Sequence, residues 1–99
     1  MIKVSHKDNC ISVKGHAYYA KPGEDVVCAG VSALVFALIE SLDALTPDEI
    51  EYLILAKGNI EIKHGNLSES AKLLIDSFFI GVKLIADKHP DNVKIIKTF

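Results

Sequence analysis

From Val26 to Ile39 the chain carries no charged side chain, and that run constrains everything around it. Val31, Leu34, Val35, Leu38 and Leu42 fall at i, i+3, i+4, i+7 and i+11, the spacing of one helical stripe. The opposite side, with Ala33, Phe36 and Ala37, is apolar too. A helix of this kind has to be covered on all sides. The uncharged run is shorter than the roughly 20 apolar residues that cross a bilayer, so a buried helix and no membrane partner are expected. Asp25 stands where a carboxylate can accept the unpaired backbone N–H groups of the first turn.

Ahead of that helix the period is two. Ile2 and Val4 alternate with Lys3 and Ser5, Lys7-Asp8-Asn9 has turn chemistry, and Ile11 and Val13 resume the alternation toward Gly15. The spacing predicts a β-hairpin. Tyr18 to Glu24, broken by Pro22-Gly23, reads as a loop. Thr46 to Glu49 reads as a turn or a short helical start. Ile50 to Lys57 is β-prone, and Gly58-Asn59 fits a two-residue hairpin turn into Ile60 to Lys63. Asn66 or Ser68 can cap a second helix striped by Ala71, Leu74, Ile75, Phe78, Val82 and Ile85, which stops before His89-Pro90. Val93 to Thr98 closes the chain as a strand. The order is ββαββαβ: a single α+β domain over residues 1–99, two helices packed on a mixed β-sheet.

Composition narrows the function classes. With 49% hydrophobic residues in 99, the chain is greasy for its size, and part of that surface is expected to close a homodimer. Thirteen acidic residues face eleven basic ones, all lysine, for a net charge of -2. That balance lacks the basic excess of a nucleic-acid binder, so no direct nucleic-acid partner is expected. Met1 to His6 lacks the apolar core of a secretory leader, which points to the cytoplasm and to Cys10 and Cys28 as free thiols. Cys10, His6 and His64, taken with Cys28 or His16, show no CxxC or HxxxH spacing. No metal and no cofactor are therefore expected.

Thiol chemistry needs a thiolate, a nearby base, and donors for the charge that develops on the attacked carbonyl. Cys28 lies three residues after Asp25, in the first helical turn, where free N–H groups and the helix dipole favour a thiolate. The same N–H groups could form an oxyanion hole. His16 follows Gly15 at a strand end, across the loop from Cys28. On spacing alone the plainer alternative is stronger, because intracellular cysteines are mostly inert core residues. Phe78-Phe79 likewise reads as core or interface packing before it reads as a substrate pocket.

The joined motifs change that balance. Gly15-His16-Ala17, then Gly23-Glu24-Asp25-Val26-Val27-Cys28-Ala29-Gly30-Val31-Ser32-Ala33-Leu34, closely resembles the signature of the ribosomal-processing cysteine protease Prp family. Gly30 stands where alanine is common in that family; no departure falls at the reactive positions. The resemblance implies a cytoplasmic, homodimeric cysteine endopeptidase with Cys28 as nucleophile and His16 as general base and acid. It further implies removal of a short N-terminal extension, next to aromatic residues, from large-subunit ribosomal protein twenty-seven. Asp25 and Ser32 match the family's supporting polar positions.

The residues leave some roles open. Asp25 can cap the helix or orient His16, and capping is favoured because its charge works against a thiolate. Ser32, one turn deeper than Cys28, can bond a site group or simply bond back to a helix carbonyl. The loop holding Tyr18, Tyr19, Pro22 and Gly23 can close over a peptide as a lid or be an ordinary mobile loop. A non-enzymatic ribosome-associated or peptide-binding module, with Cys28 as packing, is the alternative; a thiol redox role involving Cys10 comes third.

Overall fold

Residues Ile2–Lys7 (β1) and Cys10–Lys14 (β2) pair antiparallel, with Val4 opposite Val13. Asp8 and Asn9 close the hairpin at φ of 52° and 59°, the left-handed backbone a two-residue turn requires and short polar side chains tolerate. This is a computed structural model, and it describes residues 1–21, 23–55 and 58–97, with Lys97 by its backbone alone. The chain continues through α1 (Val26–Leu45), β3 (Ile50–Ile54), β4 (Ile60–His64), α2 (Glu69–Lys88) and β5 (Val93–Lys97). The expected ββαββαβ order is what the chain adopts. Pro22, Ala56, Lys57 and Thr98, which the sequence reading placed in the loop and at strand ends, lie outside the described residues.

The five strands run in the order β3-β4-β2-β1-β5, with β1 and β5 parallel and the other pairs antiparallel. Both helices cover one face. There Val4, Ile11, Ile62 and Val93 from the sheet meet Val31, Val35, Leu42, Ala71 and Val82, all at most 1% exposed. Each valine, leucine or isoleucine among them contributes about 1.5–3 kcal/mol by leaving water. The helices pack closely because Gly81 sits against Leu34, where an added Cβ would lie 3.1 Å from its methyl groups. On the far face of the sheet, Lys3 neighbours both Lys14 and Lys94.

One local expectation changes, and two open choices are settled. The β3–β4 register pairs Ile54 with Ile60, so the connection spans residues 55–59 and is longer than a two-residue turn. Ser68, not Asn66, caps α2 by accepting from the Ala71 N–H. Residues 46–49 form no helix. Thr46 ends α1, its hydroxyl donating to the Leu42 carbonyl, and Asp48 accepts from the Ser68 hydroxyl and N–H.

At twenty residues and a mean hydropathy of 1.9, all of α1 meets the length and composition of a membrane-crossing helix, although its uncharged part falls short. In the fold it is the core helix, burying Val27, Val31, Val35, Leu38, Ile39 and Leu42. Among the described residues its outer side is left partly open: Phe36 is 44% exposed, and the neighbouring edge strand β3 leaves Tyr52 and Ile54 exposed.

Candidate active site

At the end of β2 the chain leaves the sheet abruptly, and only glycine can make that exit. Gly15 has φ +94°, and a Cβ there would collide with the Met1 carbonyl oxygen. The Gly15 N–H donates to Asn59 Oδ1 at 2.9 Å. Ala17 then turns inward and is 1% exposed. Its N–H points at Cys28 Sγ, 3.3 Å away, and its carbonyl accepts from Asn92 Nδ2 at 2.9 Å. His16, between the forced glycine and the buried alanine, is exposed. The Gly-His-Ala motif thus has a physical reading: exit, exposed imidazole, anchor.

The loop that follows is tied to the same helix. Tyr18 takes φ +55°, a backbone costly for an aromatic residue, and its ring lies 5.7 Å from that of His16, centroid to centroid. The N–H groups of Tyr19 and Ala20 donate to Asp25 Oδ2 at 3.1 and 3.5 Å. Asp25 Oδ1 accepts from Val27 and Cys28 N–H, each at 3.0 Å. One carboxylate therefore caps α1 and staples the tyrosine loop to it. The Cys28 N–H, the Tyr19 and Ala20 N–H groups and the Cys28 side chain hold the Asp25 carboxyl below the usual carboxylate range, against some desolvation.

Of the two roles open to Asp25, capping is the one formed; among the described residues no hydrogen bond joins it to His16. The cap also corrects one expectation. With the Val27 and Cys28 N–H groups both taken by Asp25, they are not free to receive an oxyanion in this arrangement.

Cys28 is partly buried in the first turn of α1, and the described donor to its sulfur is the Ala17 N–H. His16 is the residue directly before that donor, so its backbone adjoins the thiol. No hydrogen bond joins the imidazole to Sγ among the described residues, a common state of such pairs before substrate binds. Ser32 is exposed and makes no side-chain hydrogen bond among the described residues. Gly23 sits at φ +86° with open space around it. Cys10 lies on the uncovered sheet face at the other end of β2, beside Ser12, and does not approach Cys28.

A groove of about 370 Å³ runs beside this centre, between the start of α1 (Val26, Val27, Gly30) and the end of α2 (Leu84, Ile85, Lys88, His89). Its walls are mostly apolar. Tyr19 reaches its end, with its ring edge-on to His89 at 5.0 Å.

Two features escaped the sequence reading. Asn92, from the corner between α2 and β5, reaches the Ala17 carbonyl, and no local pattern announces a contact across 75 residues. His6 and His64 meet with Nε2 atoms 2.8 Å apart, and His6 stacks on Phe79. That pairing had a signal: His6 follows Ile2 and Val4, and His64 follows Ile60 and Ile62, each on the inward phase of its strand. Among the described residues, no group of three His, Cys, Asp or Glu could hold a metal ion.

A cysteine at a helix start, beside a strand-end histidine and an apolar groove on an α+β domain, defines a thiol hydrolase. The chain belongs to the cysteine protease Prp family, whose model matches residues 1–94. It is 28% identical over 96 residues to the ribosomal processing cysteine protease Prp of Mycoplasma genitalium, covering 96% of this chain and 94% of the relative. To the protein of the same name from Bacillus subtilis it is 29% identical over 102 residues, covering 95% and 91%. The fold matches that of an essential ribosomal processing protease Prp from Staphylococcus aureus, solved with a covalently linked product peptide. That match has a TM-score of 0.87 at 20% identity and covers 97% and 96% of the two chains. It also matches SMU.848 from Streptococcus mutans with a TM-score of 0.79 at 23% identity, covering 99% and 93%.

Proposed function

We propose that this protein is a cytoplasmic, homodimeric cysteine endopeptidase that removes the N-terminal extension of large-subunit ribosomal protein twenty-seven. The observation that carries the reading is the Ala17 N–H on Cys28 Sγ at the start of α1, with His16 as the adjoining residue. In the proposed reaction the Cys28 thiolate attacks the scissile carbonyl carbon and an S–C bond forms. The peptide C–N bond then breaks, and the imidazolium of His16 gives its proton to the leaving amine. A water, losing its proton to His16, attacks the thioester; the S–C bond breaks and the acid product leaves Cys28 as a thiolate.

The apolar groove beside Cys28 supports an extended peptide with apolar or aromatic side chains as the substrate class. The ribosomal identity of that peptide rests on the family and on the names of its relatives. The exposed apolar side chains of α1 and β3 support the dimer.

The test is cleavage of the extended ribosomal protein, read by intact mass. Wild type should remove the extension, and Cys28→Ala should keep its fold and lose the activity. A wild-type enzyme that leaves the extended protein intact, or an active Cys28→Ala, overturns the reading.

A further inference from the structure

We infer that Asn92 is a positioning residue for the thiol: through Ala17 it holds the donor that makes Cys28 reactive. The inference rests on the reading of Cys28 as nucleophile, and its test is chosen to stand apart from that reading.

The connection is two hydrogen bonds long. Asn92 Nδ2 donates to the Ala17 carbonyl at 2.9 Å, and the Ala17 N–H donates to Cys28 Sγ at 3.3 Å. The two bonds fall on the two peptide units that flank one Cα, so together they set both backbone torsions of Ala17. A donor aimed at sulfur favours the charged thiolate over the neutral thiol, but only while its direction is kept. The segment carrying it has no regular structure, since β2 ends at Lys14 and α1 begins at Val26. Something outside that segment must hold it.

Asn92 is itself held from both sides. Its backbone N–H donates to the His89 carbonyl at 3.0 Å, and its carbonyl accepts from the Ile2 N–H at 2.8 Å. The corner after α2 and the start of β1 therefore fix the residue that fixes Ala17. Asp25 anchors the same loop later, at Tyr19 and Ala20, from the helix that carries Cys28. Asn92 holds it earlier, at Ala17, from the corner after α2. His16 sits immediately before the clamped residue, so a relaxed Ala17 also frees the backbone of the proposed base.

The chemistry of the side chain is specific. An amide can donate to a carbonyl; a carboxylate of the same shape cannot, and it sets two acceptors against each other. Asn92→Asp therefore removes the clamp while keeping the volume, and Asn92→Ala removes it by truncation.

The experiment is the rate of iodoacetamide alkylation across pH 5 to 9, in a Cys10→Ser background so that Cys28 is the thiol read. Thermal melts of each variant establish that it is folded. In both Asn92 variants the alkylation rate at pH 7 should fall roughly tenfold, and the pH of half-maximal reactivity should move up by about one unit, the scale of a hydrogen bond to a charged group. If Asn92→Ala does not fold, Asn92→Asp carries the test. A lowered melting temperature with an unmoved pH profile overturns the inference, because it leaves Asn92 with a structural role alone. Alkylation does not require a peptide substrate. A shifted profile in a protein that cleaves nothing would uphold the clamp while sinking the protease reading.

Discussion

The Asp25 carboxylate accepts the Cys28 backbone N–H at 3.0 Å through one oxygen and holds the tyrosine loop through the other. The two oxygens can be separated by substitution. Asn keeps an acceptor for the helix cap but has only a donor to offer the loop. Asp25→Asn is expected to melt close to wild type yet cleave more slowly, because Tyr18 to Ala20 are released. Asp25→Ala should lose both functions and melt about 5 °C lower. The hydrogen bonds depress the folded carboxyl, so its stabilisation is present above the unfolded carboxyl value and is lost as pH falls through the folded one. Melting curves for the two variants, set beside cleavage rates, check the division; equal melting temperatures would contradict it.

Gly15 and Gly23 both have positive φ, but only Gly15 also meets backbone. Alanine at Gly15 must take a disfavoured conformation and push away the Met1 carbonyl, at the strand exit that places His16. Gly15→Ala is expected to cost more than about 2 kcal/mol and to abolish cleavage. Gly23→Ala faces open space and should cost about 1 kcal/mol. Urea midpoints of the two variants decide the point: similar losses would mean that backbone conformation alone matters at Gly15.

Much of this was written in local pattern. The hairpin followed from alternation around Asp8-Asn9, and the two helices from stripes that bury Val31, Val35, Leu42, Ala71, Ile75 and Val82. The Asp25 cap depends on contacts two and three residues away, which spacing alone can predict. The β3–β4 connection was misjudged because Gly58-Asn59 has turn chemistry; the pairing of Ile54 with Ile60 sets a longer loop. For the site, the motif named Cys28 and His16, but it could not place the donor between them. Asn92 reaches Ala17 across the fold, and His6 reaches His64 only once β1, β2 and β4 are in register. Periodicity can turn both histidines inward, but the contacts themselves are products of topology.

His6 is 6% exposed, and burial is the first cause that lowers its pKa; the neighbouring His64 acts the same way, while Asp76 opposes them. The sign follows from linkage. The unfolded chain takes up a proton at His6 near pH 6.5, and the folded chain takes it up only at lower pH. Stability contributed by neutral His6 is therefore complete above about pH 7 and declines as the pH drops below about 6.5. Urea midpoints between pH 7 and pH 5 should fall less steeply in His6→Leu than in wild type. Parallel slopes would show that His6 is not the group responsible.

The β3 edge is one place where the chain leaves apolar surface open. Tyr52 and Ile54 share the inward phase of β3 with Ile50, yet they are 49% and 60% exposed because the helix layer stops short of the edge. Ile39 on α1 borders the same groove as Tyr52, and Phe36, three residues earlier, is on that side of the helix. An uncovered edge with unpaired backbone groups and an apolar flank favours pairing with a second copy. A charge on that apolar flank, at the end of β3, should block the pairing without touching the core. Ile54→Lys at micromolar concentration is expected to scatter light as a monomer, wild type as a dimer, and both should melt cooperatively. If the variant stays dimeric, the contact lies elsewhere, and the exposed α2 side chains Leu73, Ile80 and Leu84 are the next to change.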